Sequence, residues 1–154
     1  MRPIHAIIDL LVILVIAAGL GFALHLYQED LERKSAIEST QAAITSIEAE
    51  IGIRSALANA TLNEFGHPPS IDPEWFSGLE PRNALAPATA PWIEIALEGE
   101  LGRDHPKNPT FHGGRGAMFW YNPHKGIVRA RVPEQVSDAS ARELYAQING
   151  VSWY

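Results

Sequence analysis

A chain of 154 residues with 46% apolar content fits one small domain plus a membrane segment. Its 18 Asp and Glu against 12 Lys and Arg give a formal charge of -6, which argues against a general nucleic-acid binder. With no cysteines, disulfides, thiol nucleophiles and thiolate metal sites are excluded, and an exported domain would have to be held by its own core or by neighbouring subunits.

The apolar residues are unevenly spread. Ile4 to Leu24 is interrupted only by His5 and Asp9. A bilayer core of roughly 30 Å needs about 20 helical residues, so this run is long enough to span. A secretory signal peptide is the competing reading. Against it, Arg2 is the one basic residue ahead of the run, and the best small-x-small site is Gly21-Phe22-Ala23. The expectation is an uncleaved transmembrane helix over residues 1–27. Arg2 precedes the span, and Glu29, Asp30 and Glu32 follow it, diluted by Arg33 and Lys34. That asymmetry predicts a cytoplasmic N-terminus in the inner membrane, with the C-terminal domain periplasmic or extracellular.

Asp9 stands inside the apolar run, where an ionised carboxylate is costly and is a functional candidate by default. Two readings are open. Asp9 lies in the first turns near the headgroups, where the helix dipole and unpaired amides favour an anion. Alternatively it pairs with a cation on a neighbouring subunit, such as an N-terminal amine, Arg2 or His5.

The helical pattern continues beyond the apolar run. Between Gln28 and Thr61 there is no proline and one glycine, Gly52. Ile37, Ile44, Ile47, Ile51 and Leu57 approximate one stripe at helical spacing. The sequence predicts one helix from Ile4 to about Asn63, with residues 28–64 as its soluble extension and the stripe laid on a head domain of residues 65–154. A parallel coiled coil is the rival use of the stripe, though no clean heptad is sustained.

Gly66-His67-Pro68-Pro69 is expected to end the helix. Asp72 followed by Pro73 predicts a one-turn helix, with Trp75 and Phe76 plugging the core or forming an exposed aromatic patch. Trp92 to Glu98 alternates, so a strand is expected with Ile93, Ile95 and Leu97 on its buried face, a helical turn being the alternative. Residues 99–116 hold His105, His112, Arg103, Lys107 and Arg115. Two histidines near Asp104 lack a third well-spaced ligand, so no metal is expected. His112-Gly113-Gly114-Arg115-Gly116 suits a tight turn or, alternatively, an anion-binding nest of amides. Ala117 to Tyr121 is a strand, Asn122 to Gly126 a turn, and Ile127 to Val132 a strand with Val128, Ala130 and Val132 inward. Arg129 and Arg131 are then expected to face outward. Pro133 ends that strand. Ser137 or Asp138 caps a short helix through Ile148, stopped by Asn149-Gly150, and Val151 to Tyr154 is expected to dock.

The resulting fold class is α+β: a long N-terminal helix packed on a small antiparallel sheet, with a C-terminal hairpin and short helix. No arrangement of nucleophile, base and orienter recurs at a workable spacing, so no catalytic residue, cofactor or enzymatic activity is expected. His105, His112 and His124 are the residues an enzyme or small-ligand reading would use.

Two stretches resemble type IV pilins and type II secretion pseudopilins. Ile7-Ile8-Asp9-Leu10-Leu11-Val12 is similar to their N-terminus, where an acidic residue, usually Glu, sits inside an apolar helix. Phe119-Trp120-Tyr121-Asn122-Pro123-His124-Lys125-Gly126 is similar to the closing hairpin of pseudopilin-like heads. The family has a Gly-Phe processing site where Ile4-His5 stands here. The resemblance implies a structural subunit that assembles by side-by-side packing of its N-terminal helices. Asp9 would make the assembly contact, with Arg2 or His5 as its cation, and the partners would be membrane lipid and copies of itself or other pilin-like subunits. The alternative is a single-pass accessory subunit of a larger membrane complex that keeps this fold without forming filaments.

Overall fold

The computed structural model describes the backbone of residues 2–57 and 61–152, and the side chains of residues 8–57 and 61–152. A first helix, α1 (Arg2–Leu57), is followed by strands β1 (Ile93–Ile95), β2 (Thr110–Phe111), β3 (Phe119–Asn122), β4 (Ile127–Ala130) and β5 (Val132–Pro133), then helix α2 (Asp138–Asn149). The chain divides into two compact units, residues 1–35 and 36–154. The first unit is the N-terminal part of α1. The second, the head, is α+β, as the sequence predicts.

Within the head, residues 36–57 of α1 supply one wall of the core. Ile37, Ile44, Ile47 and Ile51 are all buried, Ile47 completely, and they cluster with Phe119, Tyr121, Val128, Val132 and Tyr145. At about 25 cal/mol per Å² of apolar area removed from water, burying such side chains supplies most of the drive to fold. The isoleucine stripe is thus used against the head's own sheet. Leu57, the last residue of α1, departs from it at 61% exposed. The helix was expected to reach Asn63. Instead the Asn63 side chain accepts the Phe65 and His67 amides, each at 3.0 Å, and closes a local turn that competes with helix.

The sheets are mixed, which corrects the antiparallel expectation. The first has the order β1-β3-β4, with β3 and β4 antiparallel and β1 parallel to β3. The long connection from Ile95 to Phe119 allows β1 to run the same way as β3, whereas a tight turn would force the reverse. β2 and β5 form a separate parallel pair that the sequence pattern did not disclose. Arg131 separates β4 from β5, so the single strand expected from Ile127 to Val132 is two, and Pro133 sits within β5 and not beyond it. At the start of the sheet, β1 stops at Ile95 and the chain turns into a short 3-10 segment (Glu98–Glu100). Leu97 is consequently 68% exposed, the opposite of its expected inward position.

The β3–β4 turn and α2 match their sequence signals. Gly126 has φ 64°, and its amide and that of Lys125 donate to the Asn122 carbonyl. A Cβ at Gly126 would lie 2.6 Å from the His67 ring, so the site requires glycine twice over. In α2 the Ser137 hydroxyl accepts the Ser140 amide at 3.2 Å, and Gly150 closes the C-terminus at φ 60°. Ala141, Leu144, Tyr145 and Ile148 are buried, as expected. Val151 packs against the core, while Trp153 and Tyr154 lie outside the described residues.

Candidate functional site

The first unit presents a helix with no covering. From Ile8 to Leu26 every large apolar side chain is about half exposed or more, with Val15 at 71% and Phe22 at 64%. Among the described residues this is the one helix long and apolar enough to cross a membrane. So much exposed apolar surface on one helix suggests a membrane anchor. Asp9 lies within this surface, exposed, and has no hydrogen-bond or ion-pair partner among the described residues. Arg2 and His5 belong to α1, but their side chains fall outside the described residues.

In the head, the candidate histidines are not brought together. His105 lies beside Tyr145, Nδ1 to hydroxyl 3.4 Å. Burial is the main cause holding its imidazole below the ordinary value, followed by the Arg129 charge; Asp104 opposes this and Lys125 adds to it. His112 is exposed and meets Glu134 at 2.7 Å. His124 stacks on Phe65, ring centres 4.2 Å apart. Among the described residues no group of three His, Asp or Glu side chains is placed to hold a metal ion. The His112–Arg115 loop is a tight turn. Gly113 and Gly114 both have positive φ, and the Arg115 amide donates to the His112 carbonyl at 3.0 Å, the signature of a two-residue hairpin turn.

Several polar side chains that hold the head together were missed by sequence pattern. Arg131 was expected to face solvent but is 4% exposed. Its guanidinium donates to the Asn108 carbonyl at 2.9 Å and the Ala117 carbonyl at 3.0 Å, and meets Glu94 at 2.9 Å. The strand alternation ends at Ala130, so the outward position that period two assigns to Arg131 does not exist. Arg129 is also largely covered, its side chain 14% exposed and 3.9 Å from Glu48. Asn83 is buried and joins three segments. Its amide donates to the Met118 carbonyl at 3.1 Å and the Arg131 carbonyl at 2.7 Å, while its oxygen accepts from the Leu85 amide at 3.0 Å.

The outer edge of β4 is covered by side chains. The Asn149 oxygen accepts the Ala130 amide at 2.7 Å, and its NH2 donates to the Ala130 carbonyl at 3.0 Å. Glu48 of α1 accepts the Val128 amide at 3.4 Å. These contacts occupy backbone groups that would otherwise invite another strand.

Comparisons of the chain with protein-family models, with curated proteins and with solved structures return no match. The architecture itself, a long apolar N-terminal helix whose later turns pack against a small sheet, is consistent with a pilin-like layout.

Proposed function

We propose that this protein is a membrane-anchored structural subunit resembling a pilin or pseudopilin, assembling through side-by-side packing of its N-terminal helices. The carrying observation is the contrast within α1. Its isoleucine stripe is consumed by the head, whereas Ile8 to Leu26 stay uncovered around Asp9, which has no ion-pair partner among the described residues. Helices that pack in lipid gain from close fit and from interhelical polar contacts, and a carboxylate inside such a surface has most to gain from a cation on a neighbour. Arg2 ahead of the span and acids after it support a cytoplasmic N-terminus and an exported head in the inner membrane. The role is assembly, with no chemical step, no cofactor and no metal.

The absence of native cysteine makes the test direct. Val15→Cys in membranes should yield disulfide-linked copies, and Asp9→Ala should reduce that yield while the head keeps its near-ultraviolet circular dichroism. Monomers alone under every condition would sink the reading. Ile4-His5 in place of a Gly-Phe junction favours a second reading, an accessory subunit within a larger membrane complex. Copurification of one stable heteromeric complex, with no Val15→Cys homodimer, would select it.

A further inference from the structure

An open cleft of about 590 Å³ lies in the head between the 102–109 loop and α2. Its charged lining is Arg103, Asp104, His105, Lys107 and Arg142. Asp104 is already engaged, its carboxylate 2.6 Å from the Lys125 ammonium. The Lys and Arg side chains that pair with carboxylates among the described residues are Lys34, Arg54, Lys125, Arg129 and Arg131. Arg103, Lys107 and Arg142 are exposed and are not among them. Glu100 is nearby, but its carboxylate accepts the Lys107 backbone amide at 3.3 Å. An acidic protein thus gathers three cations, none in an ion pair among the described residues, around one concavity, which raises the local concentration of anions there.

The same head carries the complement. On the turn at 72–80, Asp72, Glu74 and Glu80 are exposed, and none makes an ion pair among the described residues. By contrast, most acids of the soluble part of α1 are engaged: Glu29 with His25, Asp30 with Lys34, Glu48 with Arg129 and Glu50 with Arg54. The turn is shaped by Ser77 at φ 53° and Gly78 at φ 79°, and it presents Leu79 at 84% exposed between its acids. Pro106 and Pro109 give the cleft an apolar wall on which such a leucine can lie.

We propose that the cleft is a docking site for the acidic 72–80 turn of a second copy of this chain. The inference rests on the assembly reading above and adds a specific contact between heads. Because cleft and turn are different surfaces, the contact is heterologous and passes from copy to copy. Charge matching of this kind sets register and selects partners, since juxtaposed like charges disfavour the wrong pairing.

The test uses full-length chains in membranes. Gly102→Cys is placed in one copy, where a Cβ meets nothing within 4 Å, and Leu79→Cys in another. Oxidation should give the mixed disulfide dimer. Arg103→Glu, Lys107→Glu and Arg142→Glu together in the Gly102→Cys copy should cut its yield about tenfold or more. Glu74→Lys with Glu80→Lys in the Leu79→Cys copy should restore it; Asp72 is left alone because it caps the turn. High salt should weaken the unsubstituted pair. A mixed dimer indifferent to charge reversal, or no mixed dimer while Val15→Cys copies still link, overturns the cleft contact and leaves helix assembly standing. Loss of the Val15→Cys link as well overturns both.

Discussion

The Thr40 hydroxyl of α1 and the Asn83 side-chain oxygen meet at 3.2 Å inside the head, across 43 positions of sequence. The Thr40 oxygen also accepts the Ala84 amide at 3.1 Å, and its one proton is shared between the Asn83 oxygen and the Ala36 carbonyl at 2.8 Å. Helix, loop and sheet are thereby tied at one fully buried point. Asn83→Ala would leave the Arg131 carbonyl and the Leu85 amide without that partner, while the Met118 carbonyl keeps the Arg131 amide at 3.1 Å. Unsatisfied buried groups cost about 1–3 kcal/mol each, partly recovered by water, so a loss of about 3 kcal/mol is expected. Denaturant unfolding of the detergent-solubilised chain, followed by tryptophan fluorescence, measures it.

Gly126 and His67 form a second pair with a readable outcome. Gly126→Ala should destabilise by about 2 kcal/mol, from positive φ and from contact with the imidazole. In the His67→Ala background the same change should cost less, because only the backbone strain remains. A double-mutant cycle gives the difference, and a coupling near zero would show that the ring does not press on this turn.

Arg131 is a buried cation whose planar fork reaches two carbonyls and Glu94. Arg131→Met should cost about 2 kcal/mol or more through the lost charge-assisted bonds. Arg131→Lys should recover little, since an ammonium cannot span the same three acceptors. Glu94→Gln should be milder, its side chain being 41% exposed. Thermal unfolding of the three variants ranks them.

Acidification should weaken the head through His105. Its folded-state pKa is held below 6.5, first by burial and then by the Arg129 charge. As pH falls through 6.5 the unfolded chain takes up the proton before the folded one does, so folding stability drops. The contribution is complete above that pH and is lost progressively below it. His105→Gln should flatten the slope of unfolding free energy between pH 6.5 and pH 5 relative to the unsubstituted chain. An identical slope in both would remove His105 as the cause.

Asn149→Ala should expose the Ala130 backbone at the edge of β4. A modest loss of stability, about 1 kcal/mol, is expected together with faster aggregation on mild heating. Light scattering separates the two effects.

What the sequence made legible is what local pattern controls. The Ile37, Ile44, Ile47 and Ile51 stripe, the Ser137 and Gly150 caps and the Gly126 turn each follow from spacing or backbone chemistry within a few residues. The candidate assembly residue Asp9 was visible for the same reason, as a charge in an apolar run. Arg131 and Leu97 were misplaced because period-two alternation was extended past points where the chain leaves the strand. Asn83, Glu48 and Asn149 gave no signal at all. Their roles depend on partners 35, 80 and 19 residues away, and an isolated Asn or Glu looks the same whether it faces water or completes a sheet. The cationic cleft was half visible: Arg103 and Lys107 stand together in residues 99–116, but only the fold sets Arg142 of α2 beside the 102–109 loop.

The sharing of α1 between two compact units has a consequence for biosynthesis. Ile44, Ile47 and Ile51 are made early, yet the residues that shelter them extend to Ile148, near the end of the chain. At 5–20 residues per second these isoleucines wait several seconds without their partners. Contacts so distant in sequence also close slowly. The head therefore cannot fold piecewise as it emerges, and a protease or a holding chaperone would meet the chain in that interval. Truncations are predicted to divide sharply: those that keep Ala36 onward retain the whole core, and those that begin after Leu57 lose one wall of it.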